Sequence, residues 1–282
     1  MRAGDRSHLE VGQLGPILSV RDWYLGDAEG CVMALETAIV IGIGMVVVAA
    51  LYSSVGHGGG SGYLAVMALF TVAPEVMRPA ALVLNIVVAS LAAWTFLRRG
   101  AFSWRTLWPL AVTAVPMAFL GGQLSVPGVV YKPLLAVVLL WSAVYLVSPG
   151  ARPCDDPTLI PPVGPALGAG AVLGLLSGLT GIGGGIFLSP LLLFARWAPT
   201  RQVSGVAAAF ILLNSSAGLA GQVSTVVKIP WTSLTVWVPL VLVGGVAGAR
   251  YGSRTPNTKN IYRLLGVVLA VAAGKMLLTL GG

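Results

Sequence analysis

Residues 56–62 read GHGGGSG, and they interrupt a chain that is otherwise strongly apolar. Glycine disfavours a helix interior by about 1 kcal/mol relative to alanine, so three consecutive glycines predict a break in a helix. His57, directly before them, is one of only two histidines in the protein. A second cluster, GIGGG at 181–185, repeats the glycine pattern 125 residues further on.

The composition of the chain indicates that lipid is its solvent. Of its 282 residues, 56% are hydrophobic and only 9% are charged, whereas soluble domains carry about a quarter charged residues. We therefore expect an all-α polytopic membrane protein whose apolar segments mostly match the roughly 20 residues that cross a bilayer. The segments lie at 34–54, 62–73, 79–97, 107–124, 133–147, 163–180, 186–195, 203–225, 231–249 and 261–280.

The ten segments fall into two matching halves of five. In each half the second segment is short and follows a glycine cluster, and the motifs ALVLN (81–85) and AFILLN (209–214) recur at matched places. Such duplications are the usual build of secondary transporters. We expect two inverted repeats, each with a short or re-entrant half-helix headed by glycine. The expected parts are a flexible tail at 1–33, a first repeat at 34–148, a linker at 149–162 and a second repeat at 163–282.

Basic residues in the loops predict the orientation. If all ten segments cross, one set of alternate loops carries ten Lys and Arg residues and the other set four, leaving out the tail. The richer side is then cytoplasmic, which places both chain termini outside. Matched loops of the two halves also carry opposite excesses of charge. That swap favours inverted repeats over a parallel arrangement of four segments per half.

The acidic residues are distributed very unevenly. Six of the nine lie in the first 36 residues and none follows Asp156, while the formal net charge is +8. A cationic membrane body attracts anions, although many of the basic residues also serve as topology signals. They are scattered over loops, which argues against a nucleic-acid partner. Cys31 and Cys154 lack metal-type spacing, so we expect no metal and no cofactor.

A glycine cluster followed by a short helix has a specific chemical use. The free N–H groups and the positive dipole end at the helix start attract an anion. Bare backbone at membrane depth must face protein or a water-filled cavity. Two such half-helices meeting near the midplane would form an anion site. The alternative is that Gly56–Gly60 and Gly181–Gly185, both GxxxG pairs, only pack helices together.

The stretch LSGLTGIGGGIFLSPLLLF (176–194) resembles the signature of the TauE/SafE-type sulfite exporters, also called the toluene-sulfonate uptake permease family. VGHGGGSGYLAVMALF (55–70) is similar to the same signature in the first half. The resemblance covers the chain after about residue 34. It implies transport of sulfite, sulfonates or related sulfur-containing anions across the bacterial inner membrane. The first copy departs from the pattern, since His57 and Ala65 stand where the second copy has Ile182 and Pro190.

The candidate substrate-binding residues are the two glycine clusters and the polar residues near them. His57 has three open interpretations: a packed histidine, a substrate contact or a proton sensor. Glu75 and Arg78 are expected in a loop, either as solvated residues or as a local ion pair or gate latch. The full set is His57, Gly58, Gly59, Gly60, Ser61, Asn85, Gly183, Gly184, Gly185, Asn214, Ser215 and Ser216.

The sequence predicts a secondary transporter that exports a small anion by alternating access, and the resemblance implies that the anion is sulfite, an organosulfonate or a related sulfur-containing anion. A proton-coupled importer and a non-transporting membrane subunit are the alternatives. The chain lacks GxSxG, HExxH and paired intramembrane Asp residues, so we do not expect an enzyme. The expected partners are the anion and the lipid bilayer, with the chain as a monomer or a homodimer.

Overall fold

The computed structural model describes residues 28–54, 56–70, 72–147, 160–224 and 229–252, together with 267, 269–271, 273, 274 and 277. These residues form helices and connecting loops without strands. The predicted linker lies almost wholly outside the described residues, as does most of the predicted tail. The helices are α1 Ala28–Ser54, α2 Gly60–Leu69, α3 Pro74–Arg98, α4 Trp104–Gln123, α5 Gly128–Val147, α6 Val163–Thr180, α7 Gly185–Phe194, α8 Thr200–Ser224 and α9 Trp231–Gly252.

The predicted apolar segments correspond in order to these helices, but the ends differ. α1 begins at Ala28, inside the part of the chain expected to be a tail. α3 begins at Pro74, with Ala73 extended before it, because proline is well suited to the first turn of a helix. Of the predicted tenth segment, 261–280, only the scattered positions named above are described, and they are helical.

Six long helices form the main packing pairs of the described fold. α4 packs along α6, α1 packs along α9, and α3 packs against α8. The second half of the chain repeats the helix order of the first, so α6 corresponds to α1 and α9 corresponds to α4. The contact of α1 with α9 therefore corresponds to the contact of α6 with α4. The two halves of the sequence therefore make matching helix contacts.

Small residues bring the paired helices close together. A Cβ added at Gly121 of α4 would lie 2.6 Å from the Leu175 carbonyl of α6, and one at Gly248 of α9 would collide with the Ala50 carbonyl of α1. These two contacts occupy matched places in the halves. Close approach of backbones at small residues is the usual way helices associate in lipid.

Length and hydropathy separate spanning helices from short ones. Four helical stretches in the described part of the chain are long and apolar enough to cross a membrane: Pro74–Arg98, Val163–Thr180, Gln202–Ser224 and Ser233–Tyr251. α2 and α7 have 10 residues each, about 15 Å of helix, against a hydrocarbon core of about 30 Å. They are half-helices, and the residues of α2 from Gly60 to Ala68 are all buried.

Candidate functional site

The two glycine clusters form the breaks that start α2 and α7. The residues before these helices, Gly59 and Gly184, have φ of 97° and 80°, in the left-handed region that favours glycine. The first helical hydrogen bonds run from Tyr63 N–H to the Gly59 carbonyl and from Leu188 N–H to the Gly184 carbonyl. Phe187 N–H also donates to the Gly184 carbonyl, at 3.2 Å. The N–H groups ahead of Tyr63 and ahead of Phe187, at the positive end of each helix dipole, have no acceptor within their own helix.

The two breaks meet in the middle of the fold. A Cβ at Gly60 would collide with the carbonyl of Ile182, and one at Gly185 would lie 3.7 Å from Cδ2 of His57. Asn85 of α3 donates through Nδ2 to the same Ile182 carbonyl, at 3.1 Å. The start of each half-helix therefore contacts the break that precedes the other.

A group of buried polar atoms surrounds this meeting point without hydrogen-bond partners among the described residues. Asn214 and Ser215 of α8 are 0% exposed, and both amide atoms of Asn214 and the Ser215 hydroxyl are unpaired. The Oδ1 atom of Asn85 and the hydroxyls of Ser177 and Tyr63 are unpaired as well. Buried polar groups in proteins are nearly always paired, so this set points to a missing hydrogen-bonding partner.

These unpaired groups lie beside the glycines. A Cβ at Gly183 would lie 2.9 Å from the Ser215 hydroxyl and 2.9 Å from Asn85 Nδ2, and one at Gly184 would lie 3.6 Å from Asn214 Nδ2. Side-chain donors and backbone donors therefore converge on one place. Amide and hydroxyl groups are suitable donors for the oxygens of an oxyanion.

His57 contributes an imidazole to the same place. Its backbone N–H donates to the Tyr52 carbonyl at 2.9 Å, and its ring stands edge-on to the Tyr52 ring with centroids 6.4 Å apart. Nε2 lies 3.0 Å from the hydroxyl of Ser189, a residue of α7. The Tyr52 hydroxyl pairs with that of Ser61 at 2.8 Å. His57 therefore links the first break to the second half-helix.

A small cavity lies between the two half-helices. Its volume is about 10 Å³, enough for about one water molecule. In this structure the cavity is therefore too small to hold an oxyanion such as sulfite. Its lining consists of Tyr52, His57, Gly58, Gly59, Gly60, Ser61, Ile182, Gly185, Ile186 and Ile211.

The structure places most of the predicted site residues together and one apart. Ser216 is exposed on the outer side of α8, and its hydroxyl donates to the Leu212 carbonyl at 2.8 Å. It is the immediate neighbour of Ser215, but a helix turns successive residues about 100° apart. His57, Asn85, Asn214, Ser215 and the glycines lie in or beside the meeting point.

Sequence reasoning missed Ser189 and Ser177 as members of this group. Ser189 follows the second glycine cluster at one helical turn from Gly185, whose carbonyl accepts its hydroxyl at 3.2 Å. A single serine on an apolar helix usually bonds back to its own helix, so it gives no distinct signal. Only the fold brings it to His57.

Arg78 is not in a loop, contrary to the expectation from sequence. It lies in the early turns of α3, and its guanidinium donates to the Gly121 carbonyl at 3.3 Å, the Gly178 carbonyl at 3.1 Å and the Leu124 carbonyl at 3.2 Å. These carbonyls lie at the ends of α4 and α6, where the helix dipole is negative. Arg78 also stands 5.8 Å from the centroid of the Tyr131 ring. It joins the two halves beside the second break.

No group of three or more His, Cys, Asp or Glu side chains comes together as a metal site in the part of the chain that the structure describes.

Comparison with known proteins agrees with the fold. The family model described as "Sulfite exporter TauE/SafE" matches residues 40–276. The chain is 37% identical over 243 residues to the "Probable membrane transporter protein y4hK" of Sinorhizobium fredii, an alignment that covers 85% of this chain and 98% of that protein. No solved structure matches the chain significantly. The chain is therefore an integral membrane transporter, not an enzyme, and it belongs to the TauE/SafE sulfite exporter family.

Proposed function

We propose that this transporter exports a small sulfur-containing oxyanion, sulfite or an organosulfonate, across the bacterial inner membrane. In this proposal the anion binds between the starts of α2 and α7. The ligands are the free N–H groups of the two half-helices, the amides of Asn85 and Asn214, the hydroxyls of Ser61 and Ser215, and His57.

One observation carries the proposal: unpaired buried polar atoms converge where two glycine-headed half-helices meet. Leaving a buried polar group without a partner costs about 1–3 kcal/mol. Asn214 contributes two such atoms, since both of its amide atoms are unpaired and the residue is 0% exposed. Helix packing by GxxxG pairs does not require amides and hydroxyls at the contact. An oxyanion supplies several acceptor oxygens to such donors at once.

The charge distribution supports an anion and its export. The cavity lining contains no carboxylate, and no acidic residue follows Asp156 in the sequence. Because the cell interior is negative, one negative charge moving outward through 100 mV gains about 2.3 kcal/mol. Export of an anion therefore needs no coupled cation. The excess of basic loop residues supports a topology with both termini outside.

The small volume of the cavity fits an empty, contracted site in an alternating-access cycle. We propose that the two repeats are inverted and that they rock against each other around the site. The matched pairing of α1 with α9 and of α6 with α4 supports this proposal. If the site opens on the side of the second break, the Arg78 guanidinium would separate from the carbonyls at the ends of α4 and α6.

A second candidate, proton-coupled import of the same anions, is favoured by the position of His57 in the cavity lining. Import works against the membrane potential, and His57 is the titratable imidazole at the site. Proteoliposomes of defined orientation distinguish the two candidates. Net efflux of sulfite under an interior-negative potential, with equal pH on both sides, supports export, whereas uptake that requires an inward proton gradient supports import.

A further inference from the structure

We propose that Ile211 limits the size of the anion that the site accepts, so that the transporter selects small oxyanions over sulfonates that carry an organic group. This inference rests on the proposed anion site and deepens it, since it names the residue that discriminates between the two classes of substrate. It holds for either direction of transport.

The Ile211 side chain fills the space between the two glycine breaks. Its Cγ2 atom lies 2.9 Å from the position that a Cβ at Gly58 would take, and 2.9 Å from the position of a Cβ at Gly183. A Cβ at Gly185 would collide with its Cδ1 atom. Ile211 is 2% exposed and lines the small cavity between the half-helices. One apolar side chain therefore contacts both breaks and occupies room that a larger ligand would need.

Ile211 lies on the same face of α8 as two of the proposed ligands. Asn214 and Ser215 follow it by three and four residues, the spacing of neighbours on a helix surface, whose Cβ atoms are about 5–6 Å apart. Each Cα–Cβ bond of a helix tilts toward the N-terminus, so both polar side chains lean toward Ile211. Because these distances lie within α8, an anion held by Asn214 and Ser215 meets Ile211 one turn away, however the half-helices move.

The shape of isoleucine makes this limit stiff. A β-branched side chain such as valine or isoleucine keeps one χ1 rotamer in about 90% of helical cases. Ile211 therefore does not turn aside for a larger ligand as a flexible methionine would. The breaks that it contacts, at Gly58, Gly183 and Gly185, are bare backbone and have no side chain that could give way. The room beside the donors is therefore set by the fold.

This arrangement treats the two classes of anion differently. A sulfite ion ends at its sulfur atom, whereas a sulfonate carries an organic group there. When the oxygens face the amide and hydroxyl donors, the organic group is left to the apolar lining, which consists of Ile182, Ile186 and Ile211. Ile211 is the member of this lining that α8 holds beside the donors. Overfilling a packed site forces side chains off their rotamers and shifts the backbone, so affinity should fall as the organic group grows.

The test is the affinity of the purified protein for sulfite, methanesulfonate and benzenesulfonate, measured in the wild type, Ile211→Val and Ile211→Ala. Ile211→Val removes the Cδ1 atom, and Ile211→Ala removes the Cγ2 atom as well. The quantity compared is the ratio of the sulfonate Kd to the sulfite Kd, so that the difference in charge between the anions cancels between proteins. We expect the ratio for methanesulfonate to fall by at least about tenfold in Ile211→Ala, the usual effect of a methylene group in a pocket, and by less in Ile211→Val.

Leu82→Ala is the matched control. Leu82 precedes Asn85 by three residues, as Ile211 precedes Asn214. It is 0% exposed, and its Cδ1 atom lies 3.6 Å from the position of a Cβ at Gly218 of α8. The variant loses a buried aliphatic side chain of the same composition, so it shares any general loosening of the fold. We expect its Kd ratios to equal those of the wild type.

Several results would overturn the inference and leave the anion site standing. One is a wild-type protein that binds benzenesulfonate as tightly as sulfite or methanesulfonate, which decides even where Ile211→Ala does not fold. Others are unchanged Kd ratios in the folded Ile211 variants, or an equal fall of the ratios in Leu82→Ala. If the wild-type protein binds none of the three anions, the proposed function fails, and this inference fails with it.

Discussion

Asn85 of the first repeat donates through Nδ2 to the carbonyl of Ile182 in the second, at 3.1 Å, while Asn214, its counterpart on α8, has both amide atoms unpaired. The two residues occur at matched places in ALVLN and AFILLN. One amide thus holds the fold together at the site, and the other is available to a ligand. The same residue type is therefore expected to respond oppositely to mutation in the two repeats.

Replacing Asn214 by leucine should separate binding from stability. The change removes two unpaired buried polar atoms, which cost about 1–3 kcal/mol when left unsatisfied. We therefore expect the empty protein to unfold at the same or a higher temperature and to lose at least about tenfold in sulfite affinity, the equivalent of one hydrogen bond. Thermal unfolding and titration with sulfite measure the two effects. Unchanged affinity would remove Asn214 from the site.

Asn85→Leu is the matched comparison. It leaves the Ile182 carbonyl without its donor, so we expect a loss of about 1–3 kcal/mol in stability together with weaker sulfite binding. Thermal unfolding of the two variants side by side checks the difference. A stability loss that is the same for Asn85→Leu and Asn214→Leu would contradict the assignment of separate roles.

The site glycines and the packing glycines should also be separable. Gly184 has φ 80°, and an added Cβ would lie 3.0 Å from the Phe210 ring. A left-handed conformation costs a non-glycine residue about 1–2 kcal/mol. We expect Gly184→Ala to remain folded, with this loss of stability, and to lose sulfite binding because α7 can no longer start in the same geometry.

Two control variants accompany Gly184→Ala. Gly168→Ala on α6, where a Cβ would meet nothing within 4 Å, should change neither property. Gly174→Ala, whose Cβ would collide with the Ala114 carbonyl of α4, should destabilise the fold. Sulfite titration and thermal unfolding of all three variants distinguish a role in anion binding from a role in helix packing. If Gly184→Ala simply unfolds like Gly174→Ala, the glycine clusters serve packing and not anion binding.

Arg78 should matter for stability although it lies outside the cavity. Arg78→Met removes charge-assisted donors to the ends of α4 and α6, and hydrogen bonds to charged groups contribute about 1.5–3 kcal/mol each when they are well formed. Because the guanidinium is only partly buried, we expect a total loss of about 2 kcal/mol. Thermal unfolding measures it.

Arg98→Met is the matched control for Arg78→Met. The Arg98 guanidinium lies over the exposed Trp94 ring, 4.2 Å from its centroid, where a cation–π contact contributes about 0.5–1 kcal/mol. The loss of stability in Arg98→Met should be correspondingly small. Equal effects of the two substitutions would show that Arg78 does not join the halves.

The membrane potential should drive export of the sulfite dianion. With equal, mildly alkaline pH on both sides, efflux from proteoliposomes should speed up as the interior becomes more negative, by about 2.3 kcal/mol of driving force per charge per 100 mV. An efflux rate that is independent of the membrane potential and depends only on a pH difference would contradict the proposed driving force.

Much of the fold could be read from the sequence because lipid imposes long apolar runs. The order of the helices and the two short half-helices follow from hydropathy and from the repeated glycines. The predicted third segment begins at 79, whereas α3 begins at Pro74, since proline fits a first helical turn. Arg78 therefore lies in the helix and not in the expected loop. Its carbonyl partners at Gly121 and Gly178 are distant in sequence and give no local signal.

The site could be predicted only where its members carry a local signal. The glycine clusters and the matched asparagines stand out in an apolar chain. Ser189 does not, because its contact with His57 joins residues 132 positions apart. The sequence also could not separate Ser215 from Ser216, whose burial depends on which face of α8 turns inward.

The most direct measurement is a structure of the protein determined in the presence of sulfite. We expect the anion between the starts of α2 and α7, with its oxygens about 2.7–3.2 Å from the backbone nitrogens of Gly60 and Gly185 and from Asn214 Nδ2. Sulfite bound elsewhere, with the two half-helices still in contact and Asn214 still unpaired, would contradict the anion site.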